Sequence, residues 1–107
     1  NLYAQLIHRN QFVADMRSCT QSYDIILGPA TIASAVNVTS QTQNISPLSM
    51  FCCMTKQPAV TVPVGLNHSG MPEAVMIVGA MLDDVRVLQV AHAIEKQFPM
   101  PACPVIL

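Results

Sequence analysis

Charge is scarce in this 107-residue chain: Lys and Arg number five, Asp and Glu six, together 10% of the sequence. Soluble domains average about 25%. With a net charge of −1 and no basic patch, no nucleic acid and no anionic lipid surface is expected as a partner. Long apolar runs are lacking too. A membrane-spanning helix needs ~20 consecutive apolar residues, and Pro, Asp, Asn or His interrupts every run here, so no membrane span is expected. No secretory leader is read at Asn1, where a helix-like pattern begins at once without a starting Met. The glycines at 28, 65, 70 and 79 stand isolated, which excludes a glycine-rich phosphate cradle. Cys19, Cys52, Cys53 and Cys103 include no CxxC pair and have no His at ligand spacing. A zinc site is therefore not expected, and neither a metal nor a cofactor is read elsewhere. Adjacent cysteines rarely bridge without strain, so Cys52 and Cys53 read as small apolar residues with free thiols.

What is present is hydrophobic: 51% of the residues. A small domain has a high surface-to-volume ratio and needs proportionately more polar surface than a large one. The balance is reversed here, which predicts that other protein covers much of this chain. Residues 1–107 then form one segment of a single larger domain with no internal boundary. Three Asn-x-Ser/Thr triplets start at Asn37, Asn44 and Asn67. That pattern is short enough to arise by chance, and a cytoplasmic location is expected.

Residues 2–20 predict a helix whose stripe is Leu2, Leu6, Val13 and Met16. Arg9 falls within that stripe. Either it snorkels its charge to the edge, or it is a buried guanidinium paired to groups outside this chain. Ile25-Ile26-Leu27 reads as a short buried strand stopped by Gly28-Pro29. Residues 30–46 are polar, uncharged and without period, a loop of a length often tied to function. Pro47 to Met54 predicts a short helix with Ser46 as N-cap. Ala59 to Val64 alternates as a strand, and Pro63 places it at a sheet edge, at its end or at a bulge. After a loop from Gly65 to Glu73, Ala74-Val75-Met76-Ile77-Val78 is apolar on both faces, as in a strand buried on both sides. The two strands are close enough to pair as an antiparallel hairpin. Residues 83–98 predict the clearest helix, capped at Asp83, with Val87, Ala91, Ile94 and Phe98 facing inward.

No active site can be assembled from these residues. His8, His68 and His92 are scattered, and the six carboxylates occupy capping or surface positions. The order of segments is more informative. Tyr23-Asp24-Ile25-Ile26-Leu27-Gly28-Pro29 resembles the Y-D-x-L-L-T-P strand of amidase-signature enzymes. The run from Phe51 to Val64 resembles that family's F-N-x-T-G-x-P-A-x-S-x-P segment. Gly70-Met71-Pro72 followed by Val75 to Gly79 is similar to its G-L-P-x-G-L-Q-x-x-G hairpin. Asp83 to Ala91 is similar to its closing D-E-x-x-L-L-x-x-A helix. Where the family has Asn, Gly and Gln, this chain has Cys53, Lys56 and Met76. Those departures point away from the tRNA-dependent glutamine amidotransferases, toward a divergent amidase.

The resemblance implies the C-terminal part of a large α/β mixed-sheet fold, in the order helix, strand, loop, short helix, β-hairpin, helix. It also implies hydrolysis of a small-molecule amide by a Ser nucleophile, a second Ser joined by a cis peptide, and a Lys base. A Ser hydroxyl needs such a base to attack a carbonyl. The Gly/Ser-rich segment that carries this triad is absent here, and neither Lys56 nor Lys96 has that context, so no catalytic residue is assigned. By the same resemblance Phe51, Cys53 and Met54 are expected near the acyl side of the substrate site. The partner would be the remainder of the amidase domain, or a second copy through self-association. The alternative is a non-catalytic binding or assembly module that keeps an amidase-like fold.

Overall fold

A computed structural model describes residues 1–33, 35–39 and 46–101. The element order is α1 (Leu2–Thr20), β1 (Ile25–Pro29), α2 (Pro47–Thr55), β2 (Ala59–Leu66), β3 (Pro72–Gly79) and α3 (Asp84–Gln97). The three strands form one antiparallel sheet in the order β1-β3-β2. Helix α3 covers one face, and α2 with the C-terminal half of α1 covers the other.

The central strand explains this layering. Successive side chains of a strand point to opposite faces, so Met76 and Val78 turn toward α2 while Ile77 turns toward α3. Ile77 and Val78 are fully enclosed, and each such burial contributes about 1.5–3 kcal/mol. On one face Phe51, Cys52, Met76 and Val78 make a cluster, with Met16, Ile26 and Leu48 against it. On the other, Val62, Ile77, Val87 and Ala91 form the second cluster, with Val60, Val75, Val90 and Ile94 around it. The two-sided burial expected for residues 74–78 is present, and so is the antiparallel hairpin.

Pro63 lies in β2, an edge strand, and the ladder to β3 slips between Pro63 and Gly65. Having no N–H to donate, the proline sits where pairing is already interrupted. The hairpin loop is shorter than expected. Asn67 N–H donates to Met71 O at 2.8 Å, and Asn67 Oδ1 accepts from Ser69 N and Met71 N at 2.9 and 3.0 Å. Gly70, at φ 75°, supplies the left-handed residue that closes the turn.

Four expectations need correcting. β1 is a half-buried edge strand, not a buried one, because only β3 flanks it and Leu27 remains exposed. Nothing on α1 is buried: Val13, Met16, Arg17 and Thr20 are half-buried, whereas Leu2 is 72% exposed. The N-terminal half of the helix is exposed throughout, Arg9 included. Phe98 is half-exposed rather than inward-facing, since it is the C-cap of α3, at φ −123° and ψ 70°, and leaves the helical stripe. Ser46 and Asp83 occupy N-cap positions, but neither side chain caps. The Ser46 hydroxyl donates to Ala30 O instead, which ties together the two ends of the 30–46 loop. The Asp83 carboxylate accepts from Arg86 Nε at 2.9 Å, and Arg86 also pairs with Asp24, linking α3 to the approach of β1.

Candidate functional site

The residues expected at the substrate site all belong to α2. Pro47 opens this helix in the first turn, where its missing N–H costs nothing. Lys56 ends it in the left-handed conformation at φ 59°, with its N–H donating to Cys52 O at 2.9 Å. The family's Gly is expected at this position, and a left-handed C-cap is where glycine carries no Cβ penalty.

Residues two apart on a helix do not share a face, and Phe51 and Cys53 separate accordingly. Phe51 is 8% exposed and sits within the cluster shared with Met76 and Val78. Its outer edge borders an apolar groove of about 430 Å³ between α1, β1 and the start of α2, with Phe12, Met16, Ile26, Ile32 and Leu48 also on its walls. Cys53 is exposed and borders a different cavity, of about 420 Å³, with Ser49, Cys52, Gln57 and Thr61. Met54 is half-buried and borders neither. The structure thus brings Phe51 to one side of α2 and Cys53 to the other.

Burial lifts the Cys52 thiol above its ordinary pKa, and the neighbouring Cys53 adds to the shift. A thiol held neutral is a poor nucleophile. Cys19, Cys52 and Cys53 are all free, whereas Cys103 lies outside the described residues, as do Asn44 and Ile45 of the second Asn-x-Ser/Thr triplet. His8 and His68 are exposed, and His92 faces Glu95 at 3.8 Å on the open side of α3. Among the described residues no cluster of His, Cys, Asp or Glu could hold a metal, and no helix is long and apolar enough to cross a membrane. Two polar residues that the sequence did not single out take inward positions, Gln57 buried and Arg17 half-buried. Gln57 is buried beside the end of β3, and Arg17 donates from Nη2 to Thr55 O at 2.8 Å. The only sequence signal for Arg17 was its spacing of four from Val13, on the face that does make contact.

No family model matches the chain. Curated relatives do. The A-subunit of glutamyl-tRNA(Gln) amidotransferase from Brevibacillus brevis is 33% identical over 96 residues, which cover 82% of this chain and 19% of that protein. Its namesake from a Synechococcus species is 31% identical over 90 residues, 77% of this chain and 18% of that protein. The solved structure of the same amidotransferase component from Thermotoga maritima matches with a TM-score of 0.70 at 25% identity, over 85% of this chain and 21% of that one. The chain is homologous to one segment of amidase-signature proteins. A 6-aminohexanoate cyclic dimer hydrolase shares the fold at 20% identity, with a TM-score of 0.77 over 91% of this chain and 24% of that one. The amidase-signature relatives act on carbon–nitrogen bonds, and this chain spans about a fifth of their length, 19% of the Brevibacillus protein. The mixed α/β architecture and the element order expected from the four motifs are the ones found. The curated relatives named here are A-subunits of the amidotransferase from which the departures at Cys53, Lys56 and Met76 pointed away.

Proposed function

We propose that these residues are one segment of a single amide-hydrolase domain, with the Ser-cisSer-Lys triad supplied by residues outside 1–107. The observation that carries this reading is the match of 82% of the chain, at 33% identity, to only 19% of an amidase-signature relative. The exposed apolar side chains of α1 and β1, among them Leu2, Leu6, Ile7 and Leu27, supply surface for the remainder of that domain or, in the isolated chain, for self-association. In this reading α2 stands at the acyl side of the site, where Phe51, Cys53 and Met54 contact a small-molecule amide. Their uncharged character suits an uncharged or aromatic acyl group, because a charged one would need a paired ion to offset its desolvation. The cysteines at 19, 52 and 53 are unbridged, which supports a reducing compartment such as the cytoplasm.

The test is turnover. Purified residues 1–107 should hydrolyse no simple amide above background, since they offer no activated nucleophile beside a base. Hydrolysis that persists through rigorous purification would overturn the proposal. In the complete enzyme, Phe51→Ala should alter the ranking of acyl groups if Phe51 contacts substrate, and leave the ranking intact if it does not.

A further inference from the structure

Among the described residues, β1 pairs on one side only. Ala30 N–H donates to Ala74 O at 3.2 Å, one step beyond the pairing of Pro29 with Val75. Residues of an antiparallel pair alternate between bonded and non-bonded. Gly28 and Ile26 are therefore bonded to β3, while Ile25 and Leu27 point their N–H and C=O groups away from it. Gly79 agrees: it faces Ile25 in register, yet its N–H turns the other way, to Pro58 O at 3.0 Å. Pro29 also points outward, with a carbonyl and no N–H. The other edge strand, β2, likewise carries Pro63 at an outward position. What separates the two edges is the surface beside them. Next to β2 lies the cavity that Ser49, Gln57 and Thr61 make polar. Next to β1 lies the groove of about 430 Å³, and none of its lining residues has a polar side chain. An unpaired strand edge beside exposed apolar surface is a template for another strand.

We propose that the outer edge of β1 takes a further β-strand from the part of the amide-hydrolase domain outside residues 1–107, which rests on the chain being one segment of such a domain. In strand addition the main chain supplies the hydrogen bonds and alternate side chains enter pockets. Ile25 and Leu27 provide the donors and acceptors here. Every second side chain of the incoming strand enters the groove beside Met16 and Leu48. Those side chains are apolar, because a charged one would lose its hydration with no ion opposite. A second copy pairing through its own β1 would bring Ile26 and Gly28 to that side. Ile26 is already packed against its own core and Gly28 has no side chain, so the groove would stay unfilled. The remainder of the domain is the larger source of strands, since the chain matches only 19% of the Brevibacillus protein.

Amide hydrogen exchange tests it, read residue by residue in the purified chain and in the complete enzyme. In the purified chain Ile26 and Gly28 should be protected, while Ile25 and Leu27 exchange freely. In the complete enzyme Ile25 and Leu27 should slow by about a hundredfold or more. Leu27→Pro removes an outward N–H and leaves the bonds to β3 in place. It should lower the melting temperature of the complete enzyme much more than that of the purified chain. Unslowed exchange at Ile25 and Leu27 in the complete enzyme would overturn the proposal, as would equal losses from Leu27→Pro in both. Protection of these two amides already in the purified chain would overturn it too. If that protection rose with concentration, the occupant would be a second copy; if not, another part of the same chain. None of these results touches the segment reading, which falls only to turnover by the purified chain.

Discussion

Replacing Lys56 by glycine should stabilise this protein. Lys56 closes α2 at φ 59° and ψ 34°, in the left-handed region, and its side chain is exposed. For an L-residue with a Cβ, that conformation costs about 1–2 kcal/mol through the clash with the following carbonyl. Glycine escapes this cost but has a more flexible unfolded chain to order, which returns about 0.4–1 kcal/mol. No described ion pair involves Lys56, so losing the ammonium group adds little. The net expectation is a gain of about 0.5–1 kcal/mol. For a domain of this size that is a rise in melting temperature of roughly 3–6 °C. Thermal unfolding followed by circular dichroism reads it, with Lys56→Ala as control. Alanine removes the same charge and stem but keeps the Cβ, so it should leave the melting temperature near its starting value. If glycine gave no gain over alanine, the left-handed cap would not be the source of the cost, and the reasoning would fail.

Gly79→Ala should destabilise by about 1–3 kcal/mol, because a Cβ there would stand 2.4 Å from Val87 Cγ2 and force α3 off the sheet; an unchanged denaturant midpoint would refute that close approach. Phe51→Ala should lower stability by about 3–5 kcal/mol, given its place in the cluster with Met76 and Val78, and a loss under about 1 kcal/mol would move the ring out of the core. Alkylation at neutral pH should label Cys53 and Cys19 well before Cys52, whose thiol burial holds above its ordinary pKa; mass spectrometry of digested peptides gives the order, and early labelling of Cys52 would contradict its burial. The same shift has a definite sign for stability. The unfolded thiol loses its proton at lower pH than the folded one, so stability should fall as pH rises past the ordinary thiol pKa, and Cys52→Ala should remove that slope.

Where one chain segment decides its own environment, the sequence was sufficient. Unbroken apolar character over residues 74–78 requires burial on both faces of a sheet, and β3 is the central strand with Ile77 and Val78 enclosed. Helical periodicity marked Val87 and Ala91 as the inner face of α3, and the four ordered motifs pointed to the family of the relatives that the chain matches. What depended on neighbours distant in sequence was not legible. The periodicity of α1 marked an apolar stripe, but only the tertiary structure separates Val13 and Met16, which are half-buried, from Leu2 and Leu6, which are exposed. Capping chemistry placed Ser46 and Asp83 correctly, yet the Ser46 hydroxyl went to Ala30 O, sixteen residues away, and the Asp83 carboxylate to Arg86 one turn along its own helix. The residues Phe51, Cys53 and Met54 read as one patch, and the helical turn of α2 set Phe51 and Cys53 on different cavities and Met54 on neither. Arg17 and Gln57 lie far apart in sequence, and no local pattern connects them. Only the folding of α1 against the end of α2 brings these two residues to the wall of one cavity, because the whole chain decides which segments meet.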